Sequence, residues 1–210
     1  MIKTIIWDWN GTLFNDVKIC LDVINTLLKK RNLASLSLNY YLEIFTFPVK
    51  DYYLAAGFNF EDEPFEKPAE EFILCYQQLL HRASLFDDVE AVLSHYREKG
   101  FRQFILSAMK HEALKQSVQD NGITHFFEQV CGIENNLAFS KAGRAKKMME
   151  YANIRSSEAI MVGDTLHDVE VADEIGVDVI LIGRGHQSQS RLRVAGKILL
   201  PDLLSLKAMV

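Results

Sequence analysis

The chain reads as an α/β fold, a parallel sheet sandwiched by helices, with an all-helical block inserted near its start. Three observations lead there. An apolar run (Ile2, Ile5, Ile6, Trp7) close to the N-terminus has strand length and is broken by Asn10-Gly11-Thr12. Residues from about 15 to 85 then carry helical spacing with no convincing strand. From Phe86 onward, short apolar runs alternate with amphipathic stretches, the pattern of βαβ units. The expected organisation is a core of residues 1–14 and 86–210, with 15–85 as a helical cap, because three or four helices exceed what a single crossover needs.

Each element follows from local chemistry. Asn15 or Asp16 supplies a helix cap, and Val17, Cys20, Leu21, Ile24, Leu27 and Leu28 repeat at three- and four-residue spacing. Lys29-Lys30-Arg31 match the negative end of that helix. Helical pieces are expected over Leu38–Phe45 and Val49–Ala56, the second stopped by Gly57. A longer helix follows Pro64 or Pro68 and presents Phe65, Ala69, Phe72, Ile73, Tyr76 and Leu80. In the core region, strands are expected at 101–106, 129–132, 159–162 and 177–182, with an edge strand at 197–200. Helices are expected from Asp87 or Asp88 to Gly100, and over 112–120, 144–151 and 168–175. Arg184, His186 and the Ser/Gln-rich run to Ser190 read as a surface loop.

Composition bounds the function. The 210 residues are 49% hydrophobic and 24% charged, ordinary for a globular chain. A formal net charge of −5 speaks against nucleic-acid binding. Cys20, Cys75 and Cys131 are odd in number and form no CxxC pair, so reduced core thiols are expected rather than a disulfide framework or a zinc site. The apolar runs fall short of the ~18 residues a membrane span needs. A cytoplasmic protein, monomeric or homodimeric, is the resulting expectation.

The residues that can carry chemistry lie at strand ends. Asp8 ends the first strand, where open α/β sheets place their ligands. By itself an Asp shortly before a Gly reads equally well as a turn. Ser107 ends the second strand, Lys141 precedes a helix, and Gly163-Asp164-Thr165-Leu166-His167-Asp168 follows a later strand. Asp164 and Asp168 alone would also suit a helix N-cap and first turn.

Together these motifs resemble the haloacid dehalogenase-like (HAD) hydrolase superfamily, most closely its phosphoglycolate-phosphatase-like branch with a helical cap. The resemblance runs over essentially the whole chain and implies a Rossmann-like sheet. The family's first motif is usually Asp-x-Asp-Gly-Thr-Leu; here it reads Asp8-Trp9-Asn10-Gly11-Thr12-Leu13, with Asn10 in place of the second Asp. The resemblance implies a Mg²⁺-dependent phosphatase acting on a small phosphorylated metabolite. Asp8 would be the nucleophile that forms an aspartyl-phosphate. Asp8, Asp164 and the backbone carbonyl of Asn10 would hold Mg²⁺, with Asp168 supporting the ion through water or hydrogen bonding. Ser107 would contact the phosphate. Lys141, preferred over Lys146 and Lys147, would stabilise the transferring group. The usual Lys-Pro has become Lys141-Ala142. Thr12 would orient the loop, touch the Asp8 carboxylate or bind substrate.

Asn10 is the departure that matters. The second Asp is the family's general acid and base, and an amide can hydrogen-bond but carries no titrating proton. Losing such help typically costs about 10²–10⁴-fold. Three solutions are open: a substrate with a good leaving group, a substitute acid such as His111 or His167, or a weak catalyst that chiefly binds phosphate. Both histidines read more readily as surface or helix-start residues. Carbon–halogen or carbon–phosphorus cleavage is an alternative, because those branches of the family also lack the second Asp. Dehalogenases need no metal, so the intact Gly163-Asp164-Thr165 with Asp168 speaks against that version. A phosphonatase would need a reactive cap lysine, and Lys18, Lys29, Lys30 and Lys50 are available.

Overall fold

The computed structural model describes residues 1–133 and 141–209. Six strands form one sheet in the spatial order β5-β4-β1-β6-β7-β8, and all its neighbouring pairs are parallel. They are β1 (Thr4–Trp7), β4 (Arg102–Lys110), β5 (Gln129–Ile133), β6 (Ala159–Gly163), β7 (Asp178–Ile182) and β8 (Ile198–Leu200). β1 lies between β4 and β6, so the strand order reverses beside it. The carboxyl ends there form the crevice in which such sheets hold ligands.

Side chains alternate across the sheet with the two-residue period of a strand. Ile5, Trp7, Ile105 and Val162 join one apolar core, packed with α5 (Val89–Glu98) and α6 (His111–Asp120). Ile6, Phe104, Leu106 and Met161 join the core on the opposite face, under α7 (Lys141–Tyr151) and α8 (Leu166–Ile175). Burial on both faces explains why these strands are apolar runs rather than alternating ones.

The segment between β1 and α5 builds a third core of its own. It comprises α1 (Val17–Lys30), α2 (Leu38–Ile44), α3 (Val49–Ala55) and α4 (Glu66–Leu79). α1 buries Val17, Ile19, Cys20, Val23, Ile24, Leu27 and Leu28, one stripe at helical spacing. Tyr41, Tyr52 and Tyr53 pack against it. Arg31, at the end of α1, pairs with Glu63 at 2.6 Å and Glu71 at 3.3 Å. The helical block enters and leaves through an antiparallel ribbon of β2 (Phe14–Asn15) and β3 (Ser84–Leu85), strands that alternation alone did not reveal.

Helix boundaries move by a few residues from those expected. α7 begins at Lys141 rather than at 144, and α8 at Leu166 rather than 168. Thr165 caps α8 through a reciprocal pair of bonds with Asp168, which pulls the start of the helix upstream. Cys20 and Cys131 are buried and Cys75 only half-buried; none forms a disulfide. Among the described residues no helix is long and apolar enough to cross a membrane.

One expectation is overturned. The run after β7 is not a surface loop: His186 and Gln187 are buried, and Gln189–Arg193 form a short helix, α9. The polar composition is accounted for by partners on the helical block. Gln187 donates to the carbonyl of Phe45 at 2.8 Å, and the backbone N–H of Ser188 to that of Leu42 at 3.1 Å. Arg191 donates to Phe45 at 2.5 Å. Arg184 pairs with the buried Asp88 at 2.7 Å and lies over the Phe86 ring.

Candidate active site

Asp8 follows β1, Asp164 follows β6, and Asp168 lies in the first turn of α8. One carboxylate oxygen from each lies within 4.8 Å of the others, and all three residues are buried. Backbone pairing between β1 and β6 sets the distance, because Trp7 lies opposite Val162 and Asp8 N–H donates to the Val162 carbonyl at 2.8 Å. Lys141, only 5% exposed at the start of α7, reaches into this cluster. Its Nζ donates to Asp8 Oδ1 and, at 2.5 Å, to Asp168 Oδ1.

Each carboxylate is held by different groups. Asp164 accepts the Thr12 hydroxyl on Oδ1 at 2.9 Å and the backbone N–H of His186 on Oδ2 at 2.6 Å. Thr12, expected to orient the loop, touch Asp8 or bind substrate, is fully buried with its hydroxyl on Asp164. Asp168 Oδ2 accepts the Thr165 hydroxyl at 2.7 Å and the Thr165 and Asp164 backbone N–H groups at 3.0 and 3.2 Å. With Oδ1 on Lys141, Asp168 spends itself on orienting its neighbours. Glycine is required where the backbone meets Asp164. A Cβ on Gly11 (φ +76°) would lie 2.4 Å from its Oδ2, and one on Gly185 2.0 Å from the same atom.

A second polar group adjoins the first, and sequence reasoning missed most of it. Asp16, at the N-terminus of α1, is 1% exposed. Its Oδ2 accepts from Asn10 Nδ2 and the Tyr76 hydroxyl, both at 2.8 Å, and its Oδ1 lies 3.2 Å from both the Gly11 N–H and His186 Nε2. The other ring nitrogen of His186 meets the Tyr41 hydroxyl at 2.7 Å. Asn10 Nδ2 also donates to the Tyr76 oxygen at 2.9 Å, and its Oδ1 accepts from the Ser107 hydroxyl at 3.4 Å. The signal that was available is positional: 183–187 follows β7 directly at the carboxyl edge of the sheet, where loops carry function.

The electrostatics of the two groups are coupled. Asp8, Asp16, Asp164 and Asp168 are four buried carboxylates, and Lys141 and His186 are the two buried cations set against them. Burial drives the Asp8 carboxyl well above its usual range, helped by Asp168 and Asp164 and only partly opposed by Lys141. Burial and Asp168 push Asp164 up to about 6, against the pull of His186 and Thr12. Asp168 is held below the usual carboxylate range, because Lys141 and Thr165 outweigh its burial. Burial also disfavours charge on Lys141 and on His186. Asp168 and Asp8 nevertheless hold the lysine above its ordinary value, and Asp16 lifts the imidazole to about 9. Asp16 stays low, its burial outweighed by His186, Tyr76 and Asn10. With all four carboxylates ionised and the lysine and imidazole charged, the cluster would be two positive charges short, and the raised Asp8 and Asp164 carboxyls reflect that shortfall.

The remaining candidates lie elsewhere or are engaged. His111 Nδ1 accepts the Gly132 N–H at 3.3 Å. His167 pairs with Glu170 at 2.9 Å and stacks on Phe47 with ring centroids 4.6 Å apart. Lys146 forms a surface pair with Glu174 at 2.8 Å, and Lys147 is exposed on the same helix.

A family model for haloacid dehalogenase-like hydrolases matches residues 5–182. The chain belongs to that family. As a haloacid dehalogenase-like hydrolase it is similar to PpaX, a candidate pyrophosphatase of Clostridium perfringens, at 24% identity over 187 residues, covering 84% of this chain and 81% of that protein. Among solved structures, a haloacid dehalogenase-like family hydrolase from Streptococcus pneumoniae aligns with TM-score 0.85 at 20% identity, over 99% of this chain and 97% of that one. A predicted phosphoglycolate phosphatase from Haemophilus somnus aligns with TM-score 0.80 at 17% identity, over 99% and 97% of the two chains. These structural likenesses carry the fold; the chemistry must come from the site.

Proposed function

We propose that this hydrolase is a Mg²⁺-dependent phosphatase of small phosphorylated metabolites, working through an aspartyl-phosphate on Asp8. The observation that carries the reading is the buried trio Asp8, Asp164 and Asp168 beyond the carboxyl ends of β1 and β6, with Lys141 bridging Asp8 and Asp168.

The donor set suits magnesium. Carboxylate oxygens are its preferred ligands, three of them lie within 4.8 Å of one another, and a divalent cation would let the cluster's carboxylates ionise together. Asp8, Asp164 and the backbone carbonyl of Asn10 would hold the ion, with Asp168 steadying its surroundings. When bound, it screens the approach of carboxylate to phosphate and polarises the phosphoryl oxygens.

The chain's own groups supply the rest. Asp8 attacks phosphorus in line with the departing group. Lys141, charged and fixed by two carboxylates, faces the charge that spreads over the phosphoryl oxygens in the transition state. Ser107, 1% exposed, donates its hydroxyl to Asn10 Oδ1 at 3.4 Å and would have to turn that hydrogen to a phosphoryl oxygen when substrate binds. Water then attacks the aspartyl-phosphate and restores Asp8. Residues 15–85 would serve as a cap that closes the site from water, docked through His186, Gln187, Ser188 and Arg191.

The test is direct. With Mg²⁺, the protein is assayed on p-nitrophenyl phosphate, acetyl phosphate and a panel of sugar and glycolate phosphates, beside Asp8→Asn. Phosphate release that needs Mg²⁺ and vanishes in the variant is expected. Mg²⁺-dependent phosphate binding without turnover of any of these compounds would refute the enzyme reading.

A further inference from the structure

The position at which the family keeps its proton-carrying carboxylate is not merely changed to an amide here; the amide is locked. Nδ2 of Asn10 carries two hydrogens. One goes to Asp16 Oδ2 at 2.8 Å and the other to the Tyr76 oxygen at 2.9 Å. The orientation cannot be reversed, because turning the amide over would set its oxygen against the Asp16 carboxylate. Tyr76 donates its own hydrogen to that same carboxylate oxygen, so its oxygen is left as an acceptor for Asn10. The consequence is that Asn10 shows the crevice an acceptor, Oδ1, on the side of Ser107.

The neighbouring acids are spent as well. Asp16 is 1% exposed, with both oxygens occupied. His186 uses one ring nitrogen on Tyr41 and the other on Asp16. His111 and His167 each have Nδ1 taken, by the Gly132 N–H and by Glu170, and among the described residues neither ring hydrogen-bonds to a member of the two polar groups. Among the described residues, Asp16, Tyr76 and His186 thus direct their hydrogen bonds to one another and to Tyr41 rather than into the crevice.

We propose that Asp16, with Tyr76 and His186 behind it, is a positioning residue that takes up the Asn10 donors and leaves only its acceptor facing the crevice, so that the site selects phosphoryl donors whose leaving group departs without a proton: acyl phosphates and phosphoanhydrides. The inference rests on the phosphatase reading above and narrows it. In the first step an Asp8 oxygen bonds to phosphorus, and the bond from phosphorus to the leaving oxygen breaks. That oxygen takes the electron pair and leaves as a stable carboxylate or phosphate anion, with no proton transferred. In the second step water attacks phosphorus and the bond to Asp8 breaks, returning the Asp8 carboxylate. Both protons of the water end on the released phosphate as H₂PO₄⁻. Asn10 Oδ1 accepts one hydrogen bond from the attacking water and orients it, a role that needs no titrating group.

The pairing also explains why Asp cannot simply be restored at position 10. A carboxylate there would lie within about 3 Å of Asp16 Oδ2, and two such groups cannot both ionise. The informative change is therefore the exchange of the two residues, Asn10→Asp with Asp16→Asn.

The experiment compares kcat/KM of the Mg²⁺-loaded protein on acetyl phosphate, pyrophosphate, phenyl phosphate and glycerol 2-phosphate. The wild-type protein should lose about 10²–10⁴-fold between the activated donors and the alkyl ester, the amount general acid help normally supplies. The exchange variant should shrink that gap at least tenfold by gaining on glycerol 2-phosphate, which a purely structural role for Asp16 would not produce. An independent readout without turnover is slowed solvent exchange of the Asn10 side-chain amide protons, lost in Asp16→Ala. Wild-type rates within about tenfold across the series, still dependent on Asp8, would overturn this inference and leave the phosphatase reading standing. Rapidly exchanging Asn10 amide protons would overturn it too. No turnover of any donor would overturn both.

Discussion

Removing the charge of Lys141 while keeping its bulk, as in Lys141→Met, tests the electrostatic account of the site. Its ammonium is 4% exposed and bridges Asp8 and Asp168, which are 9% and 1% exposed as side chains. Breaking a buried pair by deleting one partner typically costs about 3–5 kcal/mol, because the remaining charge stays buried without compensation. Here two carboxylates lose their partner and a third, Asp164, stands close by, so the upper part of that range is expected at pH 8 in EDTA. The pH dependence follows from the sign of each shift. Asp168 is held low by Lys141, so the stability from that pair is present above the ordinary carboxylate pKa and lost as pH falls. Asp8 and Asp164 are already raised, and without the lysine they bind protons more readily still; protonation then relieves the repulsion. The deficit should therefore shrink on going from pH 8 to pH 5, through the region near 6 where Asp164 titrates. Urea unfolding of wild type and variant at both pH values measures it. A loss under about 1 kcal/mol at pH 8, the range of exposed pairs, would refute the reasoning. So would a deficit equal at both pH values.

Three further outcomes are expected. His186 is raised from 6.5 to about 9, so it stabilises the fold fully below 6.5 and loses that contribution, on the order of 3 kcal/mol, as pH rises through 9; His186→Gln should flatten that fall in urea titrations without metal, and an unchanged fall would exclude the Asp16 pair as its source. Magnesium at a hundred times its Kd should stabilise the protein by about 2.7 kcal/mol, a Tm rise on the order of 5–10 °C in calorimetry, and Asp164→Asn should abolish most of it. Gly185→Ala forces a methyl to within 2.0 Å of Asp164 Oδ2, so it should cost about 1–3 kcal/mol and weaken Mg²⁺ binding by isothermal titration, while Gly100→Ala, strained by its φ of +78° but with open space at its Cβ, should cost stability and leave Mg²⁺ binding unchanged.

The sheet and the first carboxylate cluster were legible because their signals are local. A strand buried on both faces must be an apolar run, and the residue that ends it must lie at the sheet's carboxyl edge. Asp8 and Asp164 announce themselves in this way, and β1–β6 register then brings them together. The second polar group left no local signal. Asp16 reads as a helix cap, Tyr76 as an apolar stripe residue of the helical block, Tyr41 as one position in a short helical piece, and His186 as one polar residue among serines and glutamines. What joins them is the contact of α2 and the start of α1 with the loop after β7, between segments more than 100 residues apart, with Tyr76 of α4 added through Asp16. Burial turned a run that composition marks as surface into a wall of the site, because each polar side chain there finds a fixed partner.

That placement bears on why Asn10 is tolerated. A buried network of this kind costs desolvation for every member and is favourable only when each donor and acceptor is matched. Asp16 accepts from Asn10, Tyr76, Gly11 and His186, and the match fails if any one of them becomes an acceptor. An Asp at position 10 would therefore be opposed by the fold as well as by the chemistry. It would put like charges in contact inside a cluster already short of positive charge. The amide at position 10 and the carboxylate at position 16 are one structural unit, and a change that treats them separately should cost stability before it tests catalysis.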